Sequence, residues 1–317
     1  MIVSTISTEN LTKRYSRVTA LDSLTVEVPE GVCGLVGANG AGKSTLIKLL
    51  LGLLPPSAGG AHVLGHDVAT EGESIRRLIG YMPEHDCLPP DVSAAEFVVH
   101  MAKVAGLPTD AARRRTADTL RHVGMFEERY RPMGGYSTGM KQRVKLAQAL
   151  VHDPKLVFLD EPTNGLDPQG RDEMLDLIRR VYKKFGISVL VTSHLLGELE
   201  RTSDHVVVID GGRLMKSEST KALTSQTRTL ILEVLQPDGA DGATEIAFEA
   251  LQKTHLSPRR VDQLLYVPVT DETTFDLIRD TIAHTGLGLV RLQRERHRMS
   301  ELFTDAHEGS GQHVAVD

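Results

Sequence analysis

Gly37-Ala38-Asn39-Gly40-Ala41-Gly42-Lys43-Ser44 fits the pattern G-x-x-x-x-G-K-[ST]. The apolar run Val32 to Val36 in front of it predicts a strand, and Ser44 to Leu54 behind it predicts a helix stopped by Pro55-Pro56. A strand, a glycine loop and a helix in that order frame a phosphate-binding loop. Glycines let successive backbone N–H groups point at phosphate oxygens, and the helix N-terminus adds positive potential. In that frame Lys43 reaches the β- and γ-phosphates, the Ser44 hydroxyl holds Mg²⁺, and Thr45 reaches the α-phosphate region. The alternative is a chance match, and the strand-loop-helix context argues against it.

Further along, Leu156-Val157-Phe158-Leu159 predicts a buried strand that ends in Asp160-Glu161. Strands of a parallel sheet open toward ligands at their carboxyl ends. Asp160 then belongs to the Mg²⁺ shell, and Glu161 is placed to polarise an attacking water. Alone, such an acid pair reads as a helix cap; beside a phosphate loop it reads as catalytic. Ser188 to Val191 predicts a neighbouring strand ending at Thr192-Ser193-His194, so His194 reaches the γ-phosphate or the water.

Outward from these motifs, Ile2 to Ile6, Leu24 to Val28 and Val206 to Asp210 predict more strands. Arg171 to Phe185 predicts a helix, and Asp210-Gly211-Gly212 predicts a tight turn into Arg213 to Lys216. Residues 93–152 change to a helical period, with Val98, Met101, Ala102 and Ala105 on one face. Strands alternating with helices imply an α/β domain around a mainly parallel sheet. After it, Leu230 to Leu235, Glu245 to Lys253, Arg259 to Val261, Leu264 to Val269, Phe275 to Thr285 and Gly288 to Gln293 give a βαββαβ order, the ferredoxin-like arrangement.

Composition excludes several classes. The formal net charge of −6 supplies no bulk field for nucleic acid, and Arg113-Arg114-Arg115 reads as a solvated helix face. No apolar run approaches the ~20 residues of a membrane span, and Met1 to Asn10 has no secretory pattern, so a cytoplasmic location is expected. The two cysteines, Cys33 and Cys87, read as reduced thiols.

Tyr136-Ser137-Thr138-Gly139-Met140-Lys141-Gln142-Arg143 opens a predicted helix before the acidic strand, and Asn164-Gly165-Leu166-Asp167-Pro168 follows it. By itself the first segment is an ordinary helix start with Ser137 as N-cap. Together with His194, these segments resemble the signature motif, D-loop and H-loop of ABC ATPases, in that family's order. The resemblance spans Ile2 to Ser217. It implies a P-loop NTPase fold, with a RecA-like core, an antiparallel β subdomain and a helical insertion at about 88–152, in a domain over 1–220. A ferredoxin-like accessory domain over 221–307 and a disordered tail over 308–317 complete the expectation.

The resemblance also implies an ATP-hydrolysing transporter subunit that uses ATP and Mg²⁺ and dimerises head to tail with a second copy. Ser137, Thr138, Gly139, Met140 and Asp167 would face the nucleotide held by the other copy. Tyr15 would stack on adenine with Val18 nearby. A separate integral membrane permease would bind at about Glu84 to Met101 and hold the protein peripherally on the inner face of the cell membrane. Two departures from the family pattern carry information. Tyr136, Thr138 and Met140 replace the first, third and fifth residues of Leu-Ser-Gly-Gly-Gln, as in the branch of drug-resistance and ABC-2-type exporters. Glu84, in Ile79-Gly80-Tyr81-Met82-Pro83-Glu84, stands where most members carry the Q-loop glutamine; it can contact Mg²⁺ or water but adds a negative charge. Rival readings are a soluble ABC protein working on ribosomes or DNA, and a nucleotide-dependent resistance or regulatory module that rarely hydrolyses.

Overall fold

The first strands, β1 (Ser4–Tyr15) and β2 (Val18–Pro29), form an antiparallel ribbon. β3 (Val32–Val36) leads through the glycine loop into α1 (Lys43–Leu50). β4 (Ala58–Val63) and β5 (His66–Asp67) return to the ribbon and complete an antiparallel sheet in the order β2-β1-β4-β5. After α2 (Gly72–Leu78) and β6 (Ile79–Met82) comes a helical stretch of α3 (Ala94–Val104), α4 (Thr109–His122) and α5 (Thr138–Leu150). The chain then alternates through β7 (Leu156–Leu159), α6 (Pro168–Phe185), β8 (Ser188–Ser193), α7 (Leu196–Thr202), β9 (His205–Asp210) and β10 (Arg213–Ser219). This computed structural model describes residues 4–223, 226–236, 242–269, 271 and 273–296.

The central sheet runs β10-β9-β3-β8-β7-β6, parallel except for the β9–β10 hairpin. Every residue of β3, β7 and β8 is buried, as continuous apolar strands must be when layers cover both faces of a parallel sheet. The apolar face of α1, Leu46, Ile47, Leu49 and Leu50, joins Ile6, Leu11 and Leu24 of the ribbon and Phe158 of the central sheet in one core. Three facts follow for function: β3, β8, β7 and β6 are consecutive neighbours, they are parallel, and their carboxyl ends open on one side.

A short helix, α8 (Thr220–Leu223), lies where the chain divides into two compact units, Met1–Thr220 and Lys221–Asp317. The second contains β11 (Gln226–Leu235), α9 (Ala243–Gln252), β12 (Arg259–Val261), β13 (Leu264–Pro268), α10 (Thr273–Thr285) and β14 (Gly288–Arg296). Its sheet is antiparallel in the order β12-β13-β11-β14. Leu230, Leu232, Leu265 and Val267 pack with Ala247, Leu251, Ile278 and Ile282 of the helices in a core of its own.

Several boundaries differ from the sequence reading. The ribbon strands are 12 residues each rather than five. α1 ends at Leu50 and not at Leu54, because Gly52 turns into the left-handed region at φ 63°. β4, β5, β6 and α2 were not anticipated. Ile2, residues 237–241 and everything from 297 onward, including the expected tail over 308–317, lie outside the described residues.

α3 starts with a reciprocal cap. Ser93 Oγ accepts from the Glu96 N–H at 3.3 Å, and Glu96 Oε2 accepts from the Ser93 N–H at 3.1 Å. Ser93→Ala removes half of this pair from a buried position. The melting temperature of the variant falls by about 2–4 °C in a thermal denaturation scan; an unchanged midpoint contradicts the cap's contribution.

Candidate functional site

Four neighbouring strands deliver the candidate residues. Gly37 follows directly on β3, Asp160 on β7 and His194 on β8, and Glu84 lies two residues beyond β6. A cavity of about 610 Å³ lies against their ends, lined by Ala38, Asn39, Gly40 and Gly42 to Thr45 of the glycine loop together with Glu84, Asp160, Glu161 and His194. Two glycines of the loop are sterically required. A Cβ on Gly37 would stand 2.5 Å from the Ile209 carbonyl oxygen, and one on Gly42, at φ 105°, 2.5 Å from the Ala20 carbonyl oxygen.

Lys43 is 7% exposed, and its Nζ donates to the carbonyls of Gly37 at 2.7 Å and Ala38 at 3.3 Å. It also lies 3.9 Å from Glu161 Oε1. Glu161 Oε2 faces His194 Nδ1 at 2.9 Å. The carboxylate, itself 6% exposed, thus sits between a lysine and a half-exposed imidazole. Its backbone is unusual: Glu161 has φ 49°, a left-handed conformation that costs a non-glycine residue free energy. Thr192 holds it there. The Thr192 hydroxyl accepts from the Glu161 N–H at 2.8 Å and donates to Asp160 Oδ1 at 2.8 Å.

The oxygen donors around the cavity, the Ser44 hydroxyl and the Asp160 and Glu84 carboxylates, are the hard ligands that Mg²⁺ takes. Among the described residues no group of three or more His, Cys, Asp or Glu side chains forms a metal cage. The donor set therefore fits a cation shared with nucleotide phosphates and water.

Not every residue singled out in the sequence lies here. Val18 lines the cavity, whereas Tyr15, 43% exposed at the end of β1, is outside its lining. Ser137 caps α5, its oxygen accepting from the Met140 N–H at 3.3 Å, and Asp167 caps α6 by accepting from the Gly170 N–H at 2.9 Å. Ser137, Thr138, Gly139, Met140 and Asp167 are not among the residues lining the chain's own cavity, and Ser137, Thr138 and Asp167 are exposed. Thr19, Ala20, Asn164 and Gly211 line the cavity without having been foreseen. Two of these had a sequence signal: Asn164 opens the segment that resembles the D-loop, and Gly211 lies in the predicted Asp-Gly-Gly turn.

A larger concavity of about 860 Å³ lies elsewhere on the same unit, bordered by Leu53, Arg76, Tyr81, Met101, Val104 and His152. It lacks the grouped carboxylates and the phosphate loop that line the smaller cavity.

The ABC transporter family pattern matches residues 21–164. The daunorubicin/doxorubicin resistance ATP-binding protein DrrA of Streptomyces peucetius is 37% identical over 239 residues, covering 75% of this chain and 72% of that one. The linearmycin resistance ATP-binding protein LnrL of Bacillus subtilis (strain 168) is 30% identical over 304 residues, 94% of this chain and 96% of that one, so the similarity reaches into the second unit. Among solved structures, cbiO1 from Clostridium perfringens, described as part of the ABC transporter complex cbiONQ, matches with a TM-score of 0.64 and 30% identity over 69% of this chain and 90% of its own.

Proposed function

This chain belongs to the ABC transporter ATP-binding proteins, and we propose that its hydrolysis of ATP drives an exporter of the drug-resistance, ABC-2 type through a separate membrane permease. The observation that carries the reading is the convergence of the glycine loop, Asp160, Glu161 and His194 on one cavity, with the Ser137 segment left outside it. A site missing its signature residues supports completion by a second copy, head to tail. Ser137, Gly139 and the α5 N-terminus of one subunit then meet the γ-phosphate held by the other.

Each residue has a task in this mechanism. The loop amides and Lys43 bind the phosphates, Lys43 leaving the Gly37 and Ala38 carbonyls for the β- and γ-oxygens. Ser44, Asp160 and Glu84 would hold Mg²⁺, which when bound neutralises charge developing on the phosphoryl oxygens. Glu161 accepts the proton of the attacking water, and His194 keeps that carboxylate turned toward the γ-phosphate. Tyr15 and Val18 offer the adenine an exposed apolar edge.

No helix among the described residues is long and apolar enough to cross a membrane. Attachment through the permease, on the inner face of the cell membrane, is the arrangement we propose. The groove beside Met101 and Val104 suits an amphipathic segment of that permease, with apolar walls and Arg76 and Arg77 at its rim. A cysteine at Val104, 67% exposed, in a Cys87→Ser background cross-links to the membrane subunit in native vesicles. Consistent failure with an assembled complex sinks the docking site. The second unit, with sheet order β12-β13-β11-β14 and two helices in a βαββαβ chain, we read as a ferredoxin-like accessory domain, serving dimerisation or regulation.

A further inference from the structure

Lys145 is a buried cation that the chemistry above does not use. It lies on α5 about two turns beyond Ser137 and is 2% exposed, and its Nζ donates to the main-chain carbonyl of Glu84 at 2.8 Å. An ammonium is costly to bury, and desolvation draws the proton affinity of Lys145 below the ordinary lysine range, with Cys87, Asp86, Glu84 and Asp160 pulling against it. A methionine or leucine at this position would pack without that cost, so the hydrogen bond needs a reason.

The neighbours of Lys145 supply one. One turn earlier on the same face, Lys141 Nζ pairs with Asp86 Oδ2 at 2.7 Å. Between them, Gln142 Nε2 donates to the Asn164 carbonyl at 3.2 Å. Asn164 Nδ2 donates in turn to Glu84 Oε1 at 3.4 Å, and the Asn164 N–H donates to the Glu161 carbonyl at 3.1 Å. One face of α5 therefore grips the 84–86 loop by its main chain and by Asp86. The Glu84 carboxylate is steadied from the other side by a residue fixed to Glu161.

We propose that Lys145 is the positioning residue for Glu84: it holds the Glu84 main chain so that the carboxylate faces the nucleotide cavity, and it ties that carboxylate to the helix that begins at Ser137. The helix that engages the partner's nucleotide thereby sets the acid at the chain's own. This rests on the reading of Glu84 as part of the Mg²⁺ shell. The extra negative charge of Glu84, at a position where most relatives in the resemblance carry glutamine, in turn favours the protonated form of Lys145.

The test uses the full-length chain and equilibrium binding of trinitrophenyl-ATP, with Mg²⁺ and again in EDTA. Lys145→Met raises the Kd about tenfold with Mg²⁺ and leaves the EDTA value within about twofold, the size expected when a group orienting a metal ligand is lost. Lys145→Arg, which keeps a charged N–H donor, recovers at least part of the loss. Equal weakening in both conditions means that Lys145 acts only through the fold and overturns the proposal. Glu84→Ala measured in parallel separates the two layers. If it shows the metal-specific loss and Lys145→Met does not, the positioning role is wrong; if neither shows it, Glu84 lies outside the metal shell and the inference falls with that reading. Should Lys145→Met fail to fold, Asn164→Ala cuts the other tether at an exposed residue and produces the same metal-specific loss. Unchanged binding there overturns the proposal as firmly.

Discussion

Glu161→Gln lowers the rate of ATP hydrolysis by about a thousandfold while nucleotide affinity stays within about twofold of the parent. The amide has the shape of the carboxylate and fits between Lys43 and His194, but it cannot accept a proton from water. General-base catalysis contributes on the order of 10²–10⁴ in rate, and a thousandfold corresponds to about 4 kcal/mol of transition-state stabilisation. Because binding survives and turnover does not, ATP-loaded dimers accumulate. Phosphate release measures the first effect, and sedimentation of the variant with MgATP measures the second. Hydrolysis at the parent rate would remove Glu161 from the role of base, and a persistent monomer would undo the head-to-tail reading.

Lys43→Ala acts at the earlier step. The amine donates to two loop carbonyls and lies near Glu161, so it is already aimed into the cavity that the phosphates enter. Its removal withdraws a buried cation from the triphosphate and leaves Glu161 with only the histidine beside it. MgATP affinity drops by about a hundredfold, about 2.7 kcal/mol, and turnover falls with it. Titration with a fluorescent nucleotide reads the affinity, and a melting scan of the nucleotide-free protein checks that the fold survives. Unchanged affinity and turnover together would exclude the role given to Lys43. The contrast between the variants is itself informative: one binds and does not turn over, and the other fails to bind.

What was legible in the sequence follows from how each element is buried. β3, β7 and β8 are covered on both faces and spell themselves out as apolar runs, with the site residues placed at their ends. In the second unit β11 and β13 alternate because one sheet face meets the helices, whereas β12 is exposed throughout. The ribbon was harder. Between Thr8 and Arg14 its register shifts repeatedly and Asn10 takes a positive φ, so the period-two signal is broken just where the strand continues. β4 begins Ala-Gly-Gly, and β6 is four residues long with Gly80 in it. The glycine in β6 is dictated by packing: a Cβ there would stand 1.9 Å from the Ala149 carbonyl oxygen of α5. Lys145 shows a different kind of silence. A lysine in an amphipathic helix reads as a solvated one, and only the three-dimensional course of the 84–86 loop reveals that it is inside.

The left-handed turn at Glu161 has a consequence for where failure can begin. The main chain that carries this acid is fixed by the strand end and by one threonine hydroxyl that also clasps Asp160, with His194 beside the carboxylate, before any ligand arrives. A flexible side chain would have to search for the water; this one is pointed in advance, and the folded sheet supplies the free energy that keeps it so. Changes to Thr192, which belongs to a neighbouring strand and lines no part of the nucleotide cavity, can therefore disarm the site as surely as changes to the acid itself.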